Sequence, residues 1–220
     1  MLFNEFLDVY SIDFLSKIDS KIHNKMLEKF LSLEIKSDLY TFFDVGSNAG
    51  SFIKSVKEKK INSSIHAFEP HPYLYDYLKK TYIDEKINCC CVTNQDGKCN
   101  INIPSLSVAI SSVIDRPVFQ KLKKTQKVHV IESDSISIDT YCSNENIDVI
   151  HYIKIDVEGA EYFVLDGSKK MLSEKRIICG QFEVGIEDSE FGTDHILNLL
   201  ESYGYVVDKC FENDYFFYIK

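Results

Sequence analysis

The chain has 220 residues, 45% of them hydrophobic, and a formal charge of −9. This is enough apolar side chain for one sizeable core, which excludes disordered and collagen-like chains, and the acidity argues against broad nucleic-acid binding. No apolar run approaches the ~20 residues of a membrane helix, and the opening MLFNEFLDVYSIDF places acids where a signal peptide carries bases.

Residues 1–35 read as helix. Phe3, Phe6, Leu7, Tyr10, Phe14, Ile18, Ile22, Met26, Phe30 and Leu31 fall in steps of three and four and form one apolar stripe. Asp19 or Ser20 is placed to cap a second helix within it. Docking on its own domain is the expected use of the stripe; a cover over a ligand cleft and a homodimer contact are the alternatives. The expected division is therefore a helical extension at 1–37 and a main domain at 38–220.

From Leu39 the chain alternates. A strand runs into Asp44-Val45-Gly46, a helix covers Ser51–Lys59, and a strand Ser64–Phe68 closes on Glu69-Pro70. Pro72–Tyr82 reads as helix and Ile87–Val92 as a third strand, which together signal βαβ units and a parallel sheet. Residues 94–134 read as an insertion on the ligand side, with strand candidates Cys99–Ile103 and Lys127–Glu132. The pattern resumes with strand Val149–Asp156, helix Ala160–Leu172, strand Arg176–Phe182 ending at Glu183, and helix Thr193–Tyr203 capped by Thr193. Tyr205–Lys209 and Tyr215–Ile219 form a closing antiparallel pair. The seven cysteines are odd in number and lack C-x-x-C spacing, so they read as small buried hydrophobes in a reducing cytoplasm.

Charge is uneven along this order. Residues 151–220 hold 7 Lys+Arg and 14 Asp+Glu, leaving −2 for residues 1–150. A nucleic acid would meet repulsion there, whereas a small cationic ligand would not.

Two turns carry the chemistry. Asp44-Val45-Gly46-Ser47-Asn48-Ala49-Gly50 ends a strand and opens a helix, so its glycines allow close backbone approach and the helix start offers free N–H groups. The spacing is G-x-x-x-G with an acid in front. That is wrong for a pyrophosphate cradle and right for a ligand bearing an ammonium or sulfonium. No G-K-[ST] follows, which removes the P-loop reading. Glu69 ends the second strand, 23 residues after Gly46, where an acid can accept both hydroxyls of a ribose.

These turns resemble the Rossmann-like methyltransferases that use S-adenosylmethionine (SAM). The run Lys154-Ile155-Asp156-Val157-Glu158-Gly159-Ala160-Glu161 narrows the resemblance to the FkbM family, together with Asp44–Gly50, Phe68–Pro70, Asp96-Gly97, Ile138-Asp139 and Glu183 in the family's order. The resemblance covers roughly residues 40–185. It implies an α/β fold with a seven-stranded, mostly parallel sheet, a reversed last strand and helices on both faces, plus the N-terminal helical extension. It also implies a SAM-dependent O-methyltransferase, with a sugar or glycan hydroxyl as the favoured acceptor.

By that resemblance Asp44, Gly46, Ser47, Asn48 and Gly50 lie along the methionine and ribose parts of SAM, Glu69 with Pro70 holds the ribose diol, and Asn94 reaches the adenine. Asn94 stands where the family usually has an acid. Asp156 lies at the methionine end. Candidate bases for the acceptor hydroxyl are Asp156, Glu158 and Glu183. Glu161 reads instead as a partner of its helix N-terminus, and His71 as a helix-start residue. Ser111 and Ser112 match a serine pair of the family. Clustered carboxylates could hold Mg²⁺, but no spacing demands it, and no metal ligand is assigned. The rival reading is a SAM-binding scaffold or regulatory module without catalysis. An NAD-dependent oxidoreductase fails on the turn spacing and on Asp44.

Overall fold

The computed structural model describes residues 20–104, 111–114, 117–125, 127–184 and 191–220. Most of the N-terminal apolar stripe therefore lies outside the described residues. The main sheet has seven strands in the order β3-β2-β1-β7-β8-β10-β9. They are β1 (Tyr40–Val45), β2 (Ser63–Phe68), β3 (Lys86–Asn88), β7 (Ile150–Ile155), β8 (Ile177–Glu183), β9 (Tyr205–Lys209) and β10 (Asp214–Ile219). All run parallel except the last in sequence, β10, which is antiparallel to β8 and β9. The strand order reverses between β1 and β7, and in open α/β sheets ligands bind beyond strand ends at such a switch point.

Both faces of the sheet are buried, which is why β1 and β7 are mostly aromatic and branched residues, Asp44, His151 and Lys154 apart. One face packs against helices α1 (Ser20–Ser32), α2 (Ser51–Glu58) and α3 (Pro72–Thr81). Phe30 of α1 is fully covered and meets Tyr40, Phe42 and Tyr152 edge-on at 5.1–5.6 Å. The described part of the extension, from Ser20, is thus docked on its own sheet. The other face packs against α5 (Ile138–Glu145), α6 (Glu161–Asp166), α7 (Lys169–Ser173) and α8 (Thr193–Ser202).

Three expectations about elements need correction. The third strand does not run through Val92. β3 ends at Asn88, the chain leaves the main sheet at Cys89-Cys90, and β4 (Cys91–Val92) pairs instead with β6 (Val128–Ile136). β6 also pairs antiparallel with β5 (Gly97–Pro104), so residues 91–136 build a second sheet, with the short α4 (Pro117–Leu122) between its strands. Second, the helix expected over Ala160–Leu172 is two helices. A Cβ at Gly167 would stand 2.2 Å from the Thr93 carbonyl, so the chain narrows there, and Asp139 N–H donates to the Gly167 carbonyl at 3.0 Å. Asp139 then starts α7 by accepting from the N–H groups of Lys170 (2.8 Å) and Met171 (3.0 Å). Third, Thr193 lies inside α8; its cap is Gly192, with no side-chain cap bond.

His71 caps α3 by accepting from the Tyr73 N–H, with Pro72 in the first turn. His66 is a core residue, stacked on Phe43 and bonded to the Tyr141 hydroxyl. No helix among the described residues is long and apolar enough to cross a membrane.

Candidate functional site

A cleft of about 700 Å³, its open mouth included, lies over the switch point. The β1 turn forms one edge. Gly46 has φ +77, and a Cβ there would sit 1.8 Å from the Asp156 carbonyl, so only glycine lets the two strand ends close up. The N–H groups of Gly46 and Ser47 both donate to the Phe68 carbonyl at 3.1 Å, and Ser47 Oγ donates to the Asp44 carbonyl at 2.7 Å. Gly50 caps α2, and its carbonyl accepts from the Tyr82 hydroxyl. Asn48 is left-handed (φ +49) and aims its N–H at Glu69 Oε2, 2.7 Å away.

Glu69 is buried and already half satisfied: Oε2 takes Asn48 and Oε1 takes the His71 N–H at 2.9 Å. Burial raises its pKa to about 7, and the two backbone donors oppose that rise. Each oxygen keeps a lone pair for a ligand hydroxyl. Pro70 continues the same wall.

Across the sheet, Asp44, Lys154 and Gln181 stand in register on β1, β7 and β8 and share one face. Lys154 is 3% exposed. Its Nζ donates to the Gly46 carbonyl at 2.6 Å and lies 3.2 Å from Asp156 Oδ2 and 3.5 Å from Asp44 Oδ1. Burial opposes the lysine's charge, but the carboxylates of Asp156 and Asp44 outweigh it and raise the ammonium above its ordinary value. For Asp44 burial pushes upward and Lys154 pulls back. With both acids ionised, the group carries one net negative charge. Neither oxygen of Asp44 nor Oδ1 of Asn48 has a hydrogen-bond partner among the described residues, although all three are buried. Unsatisfied buried acceptors are costly unless a donor arrives.

The β7 turn forms the opposite edge. Asp156 lines the cleft with its side chain 29% exposed, and Glu158 follows in a left-handed conformation (φ +56). Glu161 holds this turn in place: its Oε1 accepts from the N–H groups of Val157 (3.1 Å) and Gly159 (3.0 Å). It is buried, and that burial raises its pKa to about 7. The back wall is apolar, built from Phe68, Leu74, Val92 and Ile101. Ser111 and Ser112 lie on the same wall, and Ser112 is fixed by reciprocal backbone bonds with Asn102.

Asp44, Ser47 and Gly50 stand behind the cleft lining as parts of the β1 turn, and two further sequence candidates lie elsewhere. Asn94 lines a separate depression with Phe163 and donates to Asp166 at 3.0 Å. Glu183 ends β8 one strand over from Asp156, opposite Asp214, and is not among the residues lining the cleft. Among the described residues no three His, Cys, Asp or Glu are grouped to hold a metal. Sequence reasoning missed the role of Lys154. The available signal was a lysine between two isoleucines near the end of a mostly apolar strand, two residues before Asp156 and so on its face.

A family model described as the methyltransferase FkbM domain matches residues 44–207. No curated protein matches the sequence. Among solved structures, a SAM-dependent methyltransferase from Clostridium acetobutylicum is similar with a TM-score of 0.50 at 9% identity, over 100% of this chain and 99% of that one. A TehB-like SAM-dependent methyltransferase from Corynebacterium glutamicum gives 0.42 at 12% identity, over 90% and 89% of the two chains. The Clostridium structure has the same fold.

Proposed function

The chain belongs to the FkbM methyltransferase family and is a SAM-dependent methyltransferase, and from that premise we propose that it methylates a hydroxyl of a sugar or glycan. The cleft residues fit the cofactor. Asn48 in the cleft wall and Asp44 buried behind it carry oxygens without a hydrogen-bond partner beside the Gly46 turn, Asp44 being ion-paired to Lys154, and with both acids ionised the Asp44–Lys154–Asp156 group is net negative, as an ammonium requires. Glu69 has lone pairs left for a ribose diol. The apolar back wall, with Val92 and Leu74, suits an adenine ring. Bound there, the cofactor would supply a methyl group on a cationic sulfonium, for transfer to a nucleophilic oxygen with the sulfur leaving as a neutral thioether.

The chain's own residues then have three tasks. The rigid turns at Gly46 and Glu158 position the reactants, which is worth ~7–11 kcal/mol at best. The apolar wall excludes water. A carboxylate takes the proton of the acceptor hydroxyl as the new bond forms, a contribution of roughly 10²–10⁴-fold. Asp156 is assigned this proton: it is the acid at the switch point that is held by Lys154 and still partly open to the cleft, and this observation carries the reading. Glu158 lines the cleft two residues on. Glu183 is assigned no proton transfer. The seven cysteines are all free thiols, which supports a reducing, cytoplasmic setting.

The test is incubation with SAM and a panel of nucleotide sugars and oligosaccharides, read by mass spectrometry of the acceptor. A methyl ether formed by the wild type and lost in Asp156→Asn is the expected result. Transfer to an amine acceptor that lacks hydroxyls would sink the O-methyl assignment.

A further inference from the structure

Gln181 orders a chain of hydrogen bonds that starts in the sheet and ends beside the glycine turn. The Tyr152 hydroxyl donates to Gln181 Oε1 at 2.6 Å. That leaves the amide Nε2 facing His23 Nδ1, 3.4 Å away. An amide nitrogen only donates, so Nδ1 accepts and the ring proton sits on Nε2. Nε2–H then donates to Ser51 Oγ at 3.1 Å. Ser51 is the first residue of α2 and follows Gly50 directly. The chain of bonds thus ties α1 to β7, β8 and α2, next to the row Asp44–Lys154–Gln181.

His23 is 3% exposed. Burial first, and then the Lys154 ammonium, hold its pKa down to about 3, against a weaker pull from Asp156. The ring is therefore neutral at physiological pH. A cationic side chain in its place would cancel the net negative charge of the neighbouring carboxylate–ammonium group. Imidazole offers one donor and one acceptor there without adding charge.

His23 also lies ahead of residues 44–207, the segment matched by the family. We propose that His23 is a positioning residue of the cofactor site: from outside the family's own segment, it locks Ser51 and Gln181, and with them the start of α2 and the β8 end of the row Asp44–Lys154–Gln181, in the arrangement that receives the cationic methionine end of the cofactor. The inference rests on the cofactor and not on the choice of acceptor.

The experiment is calorimetric titration of the full chain with S-adenosylhomocysteine, the demethylated product, alongside ¹⁵N-histidine spectra of the ligand-free protein. His23→Ala, checked for folding by circular dichroism, is expected to bind about tenfold more weakly. His23→Gln, whose amide can both accept from Gln181 and donate to Ser51, is expected to recover most of that loss. Ser51→Ala leaves the core intact and weakens binding in the same direction. The spectra are expected to show an Nε2-protonated ring that does not titrate between about pH 5 and 8. Wild-type affinity in a folded His23→Ala or in Ser51→Ala overturns the proposal, as does an Nδ1-protonated or titrating ring. If His23→Ala does not fold, Ser51→Ala and the spectra decide. Absence of binding by the wild type overturns the cofactor assignment along with it, whereas the other outcomes overturn His23 alone.

Discussion

The carboxylates at the switch point and those on the flank of the second sheet behave in opposite ways. On the flank, Asp96 accepts from the Ser137 N–H and the Thr140 hydroxyl, and Asp139 from the N–H groups of Lys170 and Met171. All four oxygens are occupied by the protein itself. At the switch point, both oxygens of Asp44 are buried without a hydrogen-bond partner, and Glu69, with one backbone donor on each oxygen like the flank acids, is buried in the cleft wall where Asp96 is exposed and Asp139 half-buried. Both sets belong to the family's motifs, so motif membership does not separate them. Burial does: the flank acids reach solvent and hold the fold, whereas Asp44 and Glu69 are buried at the switch point with accepting capacity left over.

The largest effect expected is at the point where the two edges of the cleft meet. Gly46→Ala forces a Cβ against the Asp156 carbonyl in a left-handed backbone, and should cost about 3 kcal/mol of stability and abolish cofactor binding. Denaturant unfolding and calorimetry check this together. Next, Asp156→Asn should lower kcat by roughly 10²-fold or more, with SAM still bound. Equal kcat in the mutant would move the base elsewhere in the cleft.

A third expectation concerns pH. The folded pKa of Glu69 is raised to about 7 from 4.5, so its contribution to stability is complete below the unfolded value and fades as pH rises through about 7. Cofactor affinity has the opposite trend, because ribose hydroxyls donate best to the ionised carboxylate. Affinity for S-adenosylhomocysteine should therefore tighten between pH 6 and 8, by about tenfold at most, and the trend should flatten in Glu69→Gln. Glu161, also raised to about 7, stays intact in that variant and serves as the control. The smallest effect is on the flank. Asp139→Ala should lose about 1 kcal/mol, or ~2–4 °C in Tm, with affinity unchanged. A loss of affinity there would erase the distinction between the two sets of acids.

Much of the frame was legible from local pattern. Alternating strand and helix runs gave the parallel sheet, and the Gly46 turn and Glu69 stood out because each feature is written within a few consecutive residues. What escaped depends on distant pairing. Lys154 acquires its role only when β7 aligns with β1, 110 positions apart, and His23 meets Gln181 across 158 positions. The run Ile87–Val92 is uniformly strand-like, so nothing in it marks that Cys89-Cys90 changes sheets. Asn94 was drawn toward the adenine by the resemblance, whereas its side chain is held by Asp166 on the other side of the turn.

That change of sheets has a practical side. The back wall of the cleft, Val92 and Ile101 with Ser112, is carried on β4, β5 and the segment beside them, while the charged row sits on β1, β7 and β8. The chain crosses between them at Cys89-Cys90 and returns at Ser137, and Val92 and Ile136 pack into the core of the main sheet. The molecule is in effect a fixed charged floor with an exchangeable partition. Transplanting residues 91–136 from a relative would remodel the shape of the chamber and leave the floor's wiring untouched.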